Sequence, residues 1–171
     1  MTESTVSQPI PIVPLRGGVV FPGVTTTISI GRRRSLAAAQ SAMETGGDLL
    51  VLIQYKAEVE NPTAADLVTV GILATVRDVL RAPHVGVQML VELHRRVRFE
   101  ELTGKEPFLK GTYSDIDDLR EGHNAGQMIE AIAYLEEYAE ALGEANQQVL
   151  ANARHRRTPG DMADYVAGLL N

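Results

Sequence analysis

The residues able to do chemistry in this 171-residue chain are few and scattered. Four histidines, His84, His94, His123 and His155, stand at intervals that match no metal-ligand spacing, so each reads as a surface residue. Asp115, Asp117 and Asp118 form an acidic cluster, but the glycine turn and distal glutamate of a calcium loop are missing. They read as part of a solvated linker. Gly104-Lys105-Glu106 lacks the earlier glycine and the hydroxyl of a phosphate loop, and neither a GxSxG elbow nor an HExxH helix occurs. There is no cysteine, which removes disulfides, thiol nucleophiles and thiolate metal sites. No catalytic, cofactor-binding or metal-ligating residue is therefore assigned.

Three basic concentrations remain: Arg32-Arg33-Arg34, His94-Arg95-Arg96-Val97-Arg98 and Arg154-His155-Arg156-Arg157. Each has a reading as a phosphate patch. The formal net charge of -6 and the lack of interleaved aromatic residues argue against a nucleic-acid partner. Arg32 to Arg34 read better as the solvated first turn of a helix. At 44% hydrophobic and 22% charged residues, the chain has the composition of a globular protein with a core. No stretch approaches the roughly 20 apolar residues of a membrane span. Residues 1–8 are polar, unlike a signal peptide, and with the absence of cysteine they point to a cytoplasmic location.

The elements that would position these side chains are mostly strands. Residues 10–15 form a short apolar strand, and prolines and glycines bound the loop after it. A strictly alternating strand follows, with Val24, Thr26, Ile28 and Ile30 on one face. Residues 32–45 change to helical period, with Leu36, Ala39, Gln40 and Met43 as the stripe and Gly46-Gly47 as the stop. Residues 49–53 are continuously apolar, as in a strand buried on both faces. Residues 71–80 and 87–93 make a hairpin joined by residues 81–86, and residues 96–102 and 108–115 give two further strands. On the 87–93 strand, Leu90 is an apolar residue on the face that also carries Gln88 and Glu92. Without βαβ alternation, a mostly antiparallel, closed or nearly closed sheet with one packed helix is expected, an α+β class.

The character changes at residue 115. Residues 1–9 read as a disordered leader, 10–117 as a β-rich lobe and 118–171 as a helical lobe. Met128, Ile132, Leu135, Ala139 and Leu142 form one helical stripe, and a second helix is expected over residues 144–155. Thr158-Pro159-Gly160-Asp161 is a helix start, with Thr as N-cap and Pro in the first turn. That helix carries Met162, Tyr165, Val166, Leu169 and Leu170. The apolar ending at Asn171, without a C-cap, suggests a bundle cut before completion.

Residues 10–16 (IPIVPLR), 19–23 (VVFPG) and 28–32 (ISIGR) resemble the opening signature of the N-terminal, substrate-binding domain of bacterial ATP-dependent Lon proteases. The helix with Ser35, the strand over 49–53, Val70-Gly71-Ile72, the strand over 91–98 and residues 159–164 (PGDMAD) stand in the family's order. The resemblance implies a six-stranded pseudo-barrel similar to the PUA barrel, followed by a helical bundle. It also implies a homohexameric parent with a AAA+ module, which binds ATP and Mg, and a Ser-Lys protease domain. This chain has neither module, so no ATPase or peptidase activity and no cofactor is expected of it. Its partners would be unfolded, misfolded or degron-bearing proteins, with self-association inside the hexamer and no membrane.

Such capture needs apolar surface on a folded scaffold. Leu90 and, on the adjacent hairpin, Pro83 and Val85 are the candidate substrate-binding residues. Each also reads as an isolated exposed apolar residue, or as one covered by the helical lobe. The alternative functions are a nucleic-acid-binding PUA-like module and a free-standing Lon-domain adaptor.

Overall fold

Alternating and doubly apolar segments become strands of one sheet in the computed structural model of the chain, which describes residues 6–82, 84, 86–116, 125–141 and 147–169. Two units emerge, Met1–Asp117 and Asp118–Asn171.

The first unit contains β1 (Ile10–Leu15), β2 (Thr25–Ser29), α1 (Arg33–Glu44), β3 (Asp48–Ile53), a 3-10 turn (Ala64–Asp66), β4 (Val70–Ala82), β5 (Gly86–Gly104) and β6 (Lys110–Asp115). The sheet order is β2-β5-β4-β3-β1-β6, and β6 also pairs with β5. Hydrogen-bonded neighbours therefore form a closed circuit through β5, β4, β3, β1 and β6, with β2 attached outside it. Ser7 extends the attachment of the chain to β6: its N–H donates to the Tyr113 carbonyl at 2.8 Å.

One pairing departs from the antiparallel expectation. β1 and β3 run parallel, with Ile12 opposite Leu50 and Leu15 opposite Ile53. β2 and α1 lie between them in the chain and supply the long crossover that parallel neighbours require. Both strands are buried on both faces. Val13, Leu15, Leu49 and Val51 enter one apolar cluster, while Ile12, Leu50 and Leu52 enter a second. This is why residues 49–53 read as an unbroken apolar run.

The expected strands over 87–93 and 96–102 are one continuous strand, β5. Leu93 pairs with Ala74 and Arg95 with Leu73, which leaves His94 as the extra residue of a bulge. The bulge exchanges the faces. Met89, Val91 and Leu93 before it pack into the first cluster, whereas Val97 and Phe99 after it pack into the second.

Helix α1 buries a different stripe from the one expected. Ser35, Ala38, Ala39 and Ala42 face inward, while Met43 is exposed and Leu36 only half-buried. Small residues let the helix axis lie close to the sheet, and that approach outweighs the larger side chains one position on. Gly47, at φ 93°, ends the helix as expected, its N–H donating to the Ala42 carbonyl at 2.6 Å.

The second unit comprises α2 (Ala125–Ala141), α3 (Gln147–Arg154) and α4 (Pro159–Leu169). Leu135 and Ala139 of the expected α2 stripe are buried, and Met128 and Ile132 are half-buried. Leu142 and Leu170 lie outside the described residues. Thr158 caps α4, its hydroxyl accepting the Asp161 N–H at 3.1 Å. Met162 and Tyr165 are buried, and the Tyr165 hydroxyl donates to the Val149 carbonyl at 3.0 Å.

Candidate substrate-binding surface

The alternation that buries Ile28, Met89 and Val91 leaves Thr25, Thr27 and Ser29 of β2 beside Gln88, Leu90 and Glu92 of β5 on the outer face. Leu90 stands opposite Thr27 on one side and Asp78 on the other, and is half-buried among these polar neighbours. Pro83 and Val85, named with it as candidates, lie outside the described residues. A further apolar residue shares the neighbourhood: Leu80, 51% exposed, pairs with Gln88. The β4 register shift between Val76 and Asp78 puts Leu80 on this face, a slip that periodicity alone does not reveal. On α2, Ile129, Tyr134 and Tyr138 are exposed as well.

Polar groups at the rim of this face are engaged with one another. Arg77 forms an ion pair with Glu92. The Arg77 hydrogen bond and, next, its charge hold the Glu92 carboxyl below the usual range, against a smaller opposing effect of desolvation. His94, on its bulge, is hydrogen-bonded through Nε2 to the Thr75 hydroxyl at 2.7 Å, and Thr75 donates to Asp48 at 2.9 Å. His155 bonds the Ala151 carbonyl, and His84 is exposed at the β4–β5 turn. Asp115 is not in a linker: it ends β6 and accepts from Arg95 Nη2 at 2.9 Å. Asp117, Asp118 and His123 are outside the described residues. Among the described residues no group of three or more His, Cys, Asp or Glu is placed to hold a metal.

Two of the C-terminal basic residues are used internally, Arg154 on Glu136 and Arg156 over the Tyr165 ring at 4.4 Å. The first basic run behaves otherwise. Arg32, expected in a solvated turn, is half-buried as the N-cap of α1 and donates through Nη2 to the Val59 carbonyl at 3.0 Å. Its guanidinium is held below the usual arginine range, first by burial and then by neighbouring Arg16, with Glu60 opposing. Arg16, Arg32, Arg33 and Arg34 line an open groove of about 770 Å³, with Glu60 as the one acidic residue of the lining.

Together these features define a class: an α+β domain with a mixed six-stranded sheet, an arginine-lined groove and no acid–base or metal constellation among the described residues. Residues 9–171 match the substrate-binding domain of the ATP-dependent protease La (LON), and the chain belongs to that family. It is 32% identical over 168 residues to a Lon protease of Xanthomonas oryzae, covering 94% of this chain and 20% of the relative. A Brevibacillus choshinensis Lon protease is 27% identical over 172 residues, covering 99% and 22%. The chain thus spans about a fifth of the length of these relatives. The fold is similar to the N-terminal domain of a Mycobacterium avium complex Lon protease, with TM-score 0.72, 17% identity, and 94% and 82% of the two chains covered. A Lon N-terminal domain protein from Xanthomonas campestris gives TM-score 0.55 at 17% identity, covering 84% and 80%. Among the described residues no helix is long and apolar enough to cross a membrane.

Proposed function

We propose that this chain is the substrate-recognition part of a Lon protease and captures unfolded, damaged or degron-bearing proteins for degradation. The observation that carries the reading is the family match over residues 9–171, on a chain whose outer sheet face exposes Leu80 beside half-buried Leu90. Apolar residues on a rigid sheet are what recognition of unfolded segments requires. ATP hydrolysis with Mg and Ser-Lys peptide cleavage would be carried by other segments of the longer relatives, and this domain would support their hexameric assembly in the cytoplasm. The closed circuit of hydrogen-bonded strands supports reading the sheet as a PUA-like pseudo-barrel.

The test is an NMR titration of the labelled chain with a permanently unfolded protein such as reduced, carboxymethylated lactalbumin. Amide shifts are expected in β2, β5 and around Leu80. Absence of any shift at saturating concentration would count against the capture role.

A further inference from the structure

The outer edge of β2, which has no strand partner among the described residues, is not accounted for by the apolar face. β2 stands at one end of the sheet order, with β5 as its strand partner. Ile30 N–H donates to the Val87 carbonyl and Leu93 N–H to the Val24 carbonyl, both at 2.9 Å. With Thr26 opposite Val91 and Ile28 opposite Met89, the even-numbered residues turn their backbone groups toward β5. By the alternation of an antiparallel ladder, Thr25, Thr27 and Ser29 turn theirs outward. An edge of this kind is a template for another strand, and proteins usually blunt it with proline or lysine. Residues 25–29 contain neither.

The edge instead borders the groove, which residues 14–20, 27–31 and 32–34 line together. Its four arginines face one glutamate. Arg16 and Glu60 are 3.7 Å apart and both well exposed, and Arg34 is bonded to Asn61 and Glu106. Arg33 is exposed at the start of α1. Among the described residues the buried Nε and Nη1 groups of Arg32 have no acceptor, which leaves its charge uncompensated beside the groove. Val19 and Val20 add apolar wall.

We propose that the β2 edge and the adjoining groove take one extended acidic segment of an unfolded protein, added as a strand against Thr25, Thr27 and Ser29. An aspartate or glutamate side chain of that segment is held by Arg33, with the charge of Arg32 beside it. The proposal rests on the capture reading above and names its substrate class. A strand edge selects a polypeptide, because only a backbone offers alternating N–H and C=O groups at the right repeat. The arginines then select its charge.

The test uses the full chain and fluorescein-labelled, C-terminally amidated peptides of alternating threonine and valine with one central glutamate or glutamine. Fluorescence anisotropy is expected to show about tenfold tighter binding of the glutamate peptide. Arg33→Gln should remove most of that difference while leaving the glutamine peptide unaffected. Thr27→Pro should weaken both peptides, because it removes an outward N–H and spares the β5 ladder. If Thr27→Pro fails to fold, by circular dichroism, Arg33→Gln still decides. Equal binding of the two amidated peptides overturns the proposal. So does a free-acid glutamine peptide that binds as tightly as the glutamate one, which would assign the groove to a C-terminus. Unfolded lactalbumin bound equally by wild type and both variants would overturn the groove while leaving capture standing; no binding of it at all would overturn both.

Discussion

Gly111 sits where the strand circuit closes, paired with Ile10 of β1 and Leu102 of β5. A Cβ placed there would lie 2.5 Å from the Glu101 carbonyl oxygen, 2.8 Å from Ile12 Cδ1 and 2.9 Å from Phe99 Cε2. The first is backbone and cannot rotate away, and Ile12 and Phe99 are fixed in the second apolar cluster. Overpacking of a tight core site costs about 1–3 kcal/mol, and this geometry belongs near the upper end. Against it, Gly→Ala stabilises through the unfolded chain by about 0.5–1 kcal/mol. Gly111→Ala should therefore lose about 2 kcal/mol. Gly104→Ala, on the same strand pair, meets nothing closer than Lys110 Cβ at 3.6 Å and should be neutral or stabilising by about 0.5 kcal/mol. Urea unfolding followed at the amide signals of Leu50 and Val97 reports this unit apart from the helical one. The midpoint should fall for Gly111→Ala at unchanged m-value. A result within about 0.5 kcal/mol of the Gly104→Ala control would refute the close contact and, with it, the register that closes the circuit.

Leu50→Ala, at a fully buried position in β3, should cost about 3–4 kcal/mol by the same urea assay, since neighbouring strands hold the cavity open. Arg77→Ala should raise the NMR titration midpoint of the Glu92 carboxyl toward the ordinary range. Because the folded-state value of Glu92 is depressed, its contribution exists above the unfolded carboxylate pKa. It disappears as pH falls through the folded value, so the variant should flatten the acid limb of the stability profile slightly. Thr158→Ala, which removes the α4 cap, should speed hydrogen exchange at Asp161 and Met162 and cost the helical unit about 1 kcal/mol.

Local patterns carried much of the fold in the sequence, and pairing between distant segments carried the rest. The period of two over residues 24–30 gave β2 its buried face, and the apolar run at 49–53 marked a strand covered on both sides. The parallel β1–β3 pair was hidden because register between distant strands leaves no trace in either strand. The α1 stripe was misplaced by one position because hydropathy favours Leu36 and Met43, whereas distance to the sheet favours Ser35 and the alanines. The two strands read around His94 merge because one unpaired residue interrupts the alternation without ending the ladder. For the site, Leu90 was visible as an exception to its face. The groove was not, since Arg16, Arg32 and Glu60 meet only after β1, α1 and the segment following β3 are in place.

The strand circuit also dictates an order of events in folding. β4 and β5 are joined by a short turn and can zip from it, with β6 following along β5, all within neighbouring chain. Joining Ile10 to Gly111 is different, because it ties together segments from opposite ends of this unit, and its closure cost falls once β1 lies on β3 with Ile12 opposite Leu50. Until that happens the β6-facing edge of β1 and the far edge of β6 stay open to other strands. Pairing at such long range predicts slow refolding, with the chain most exposed to mispairing before β1 docks on β6.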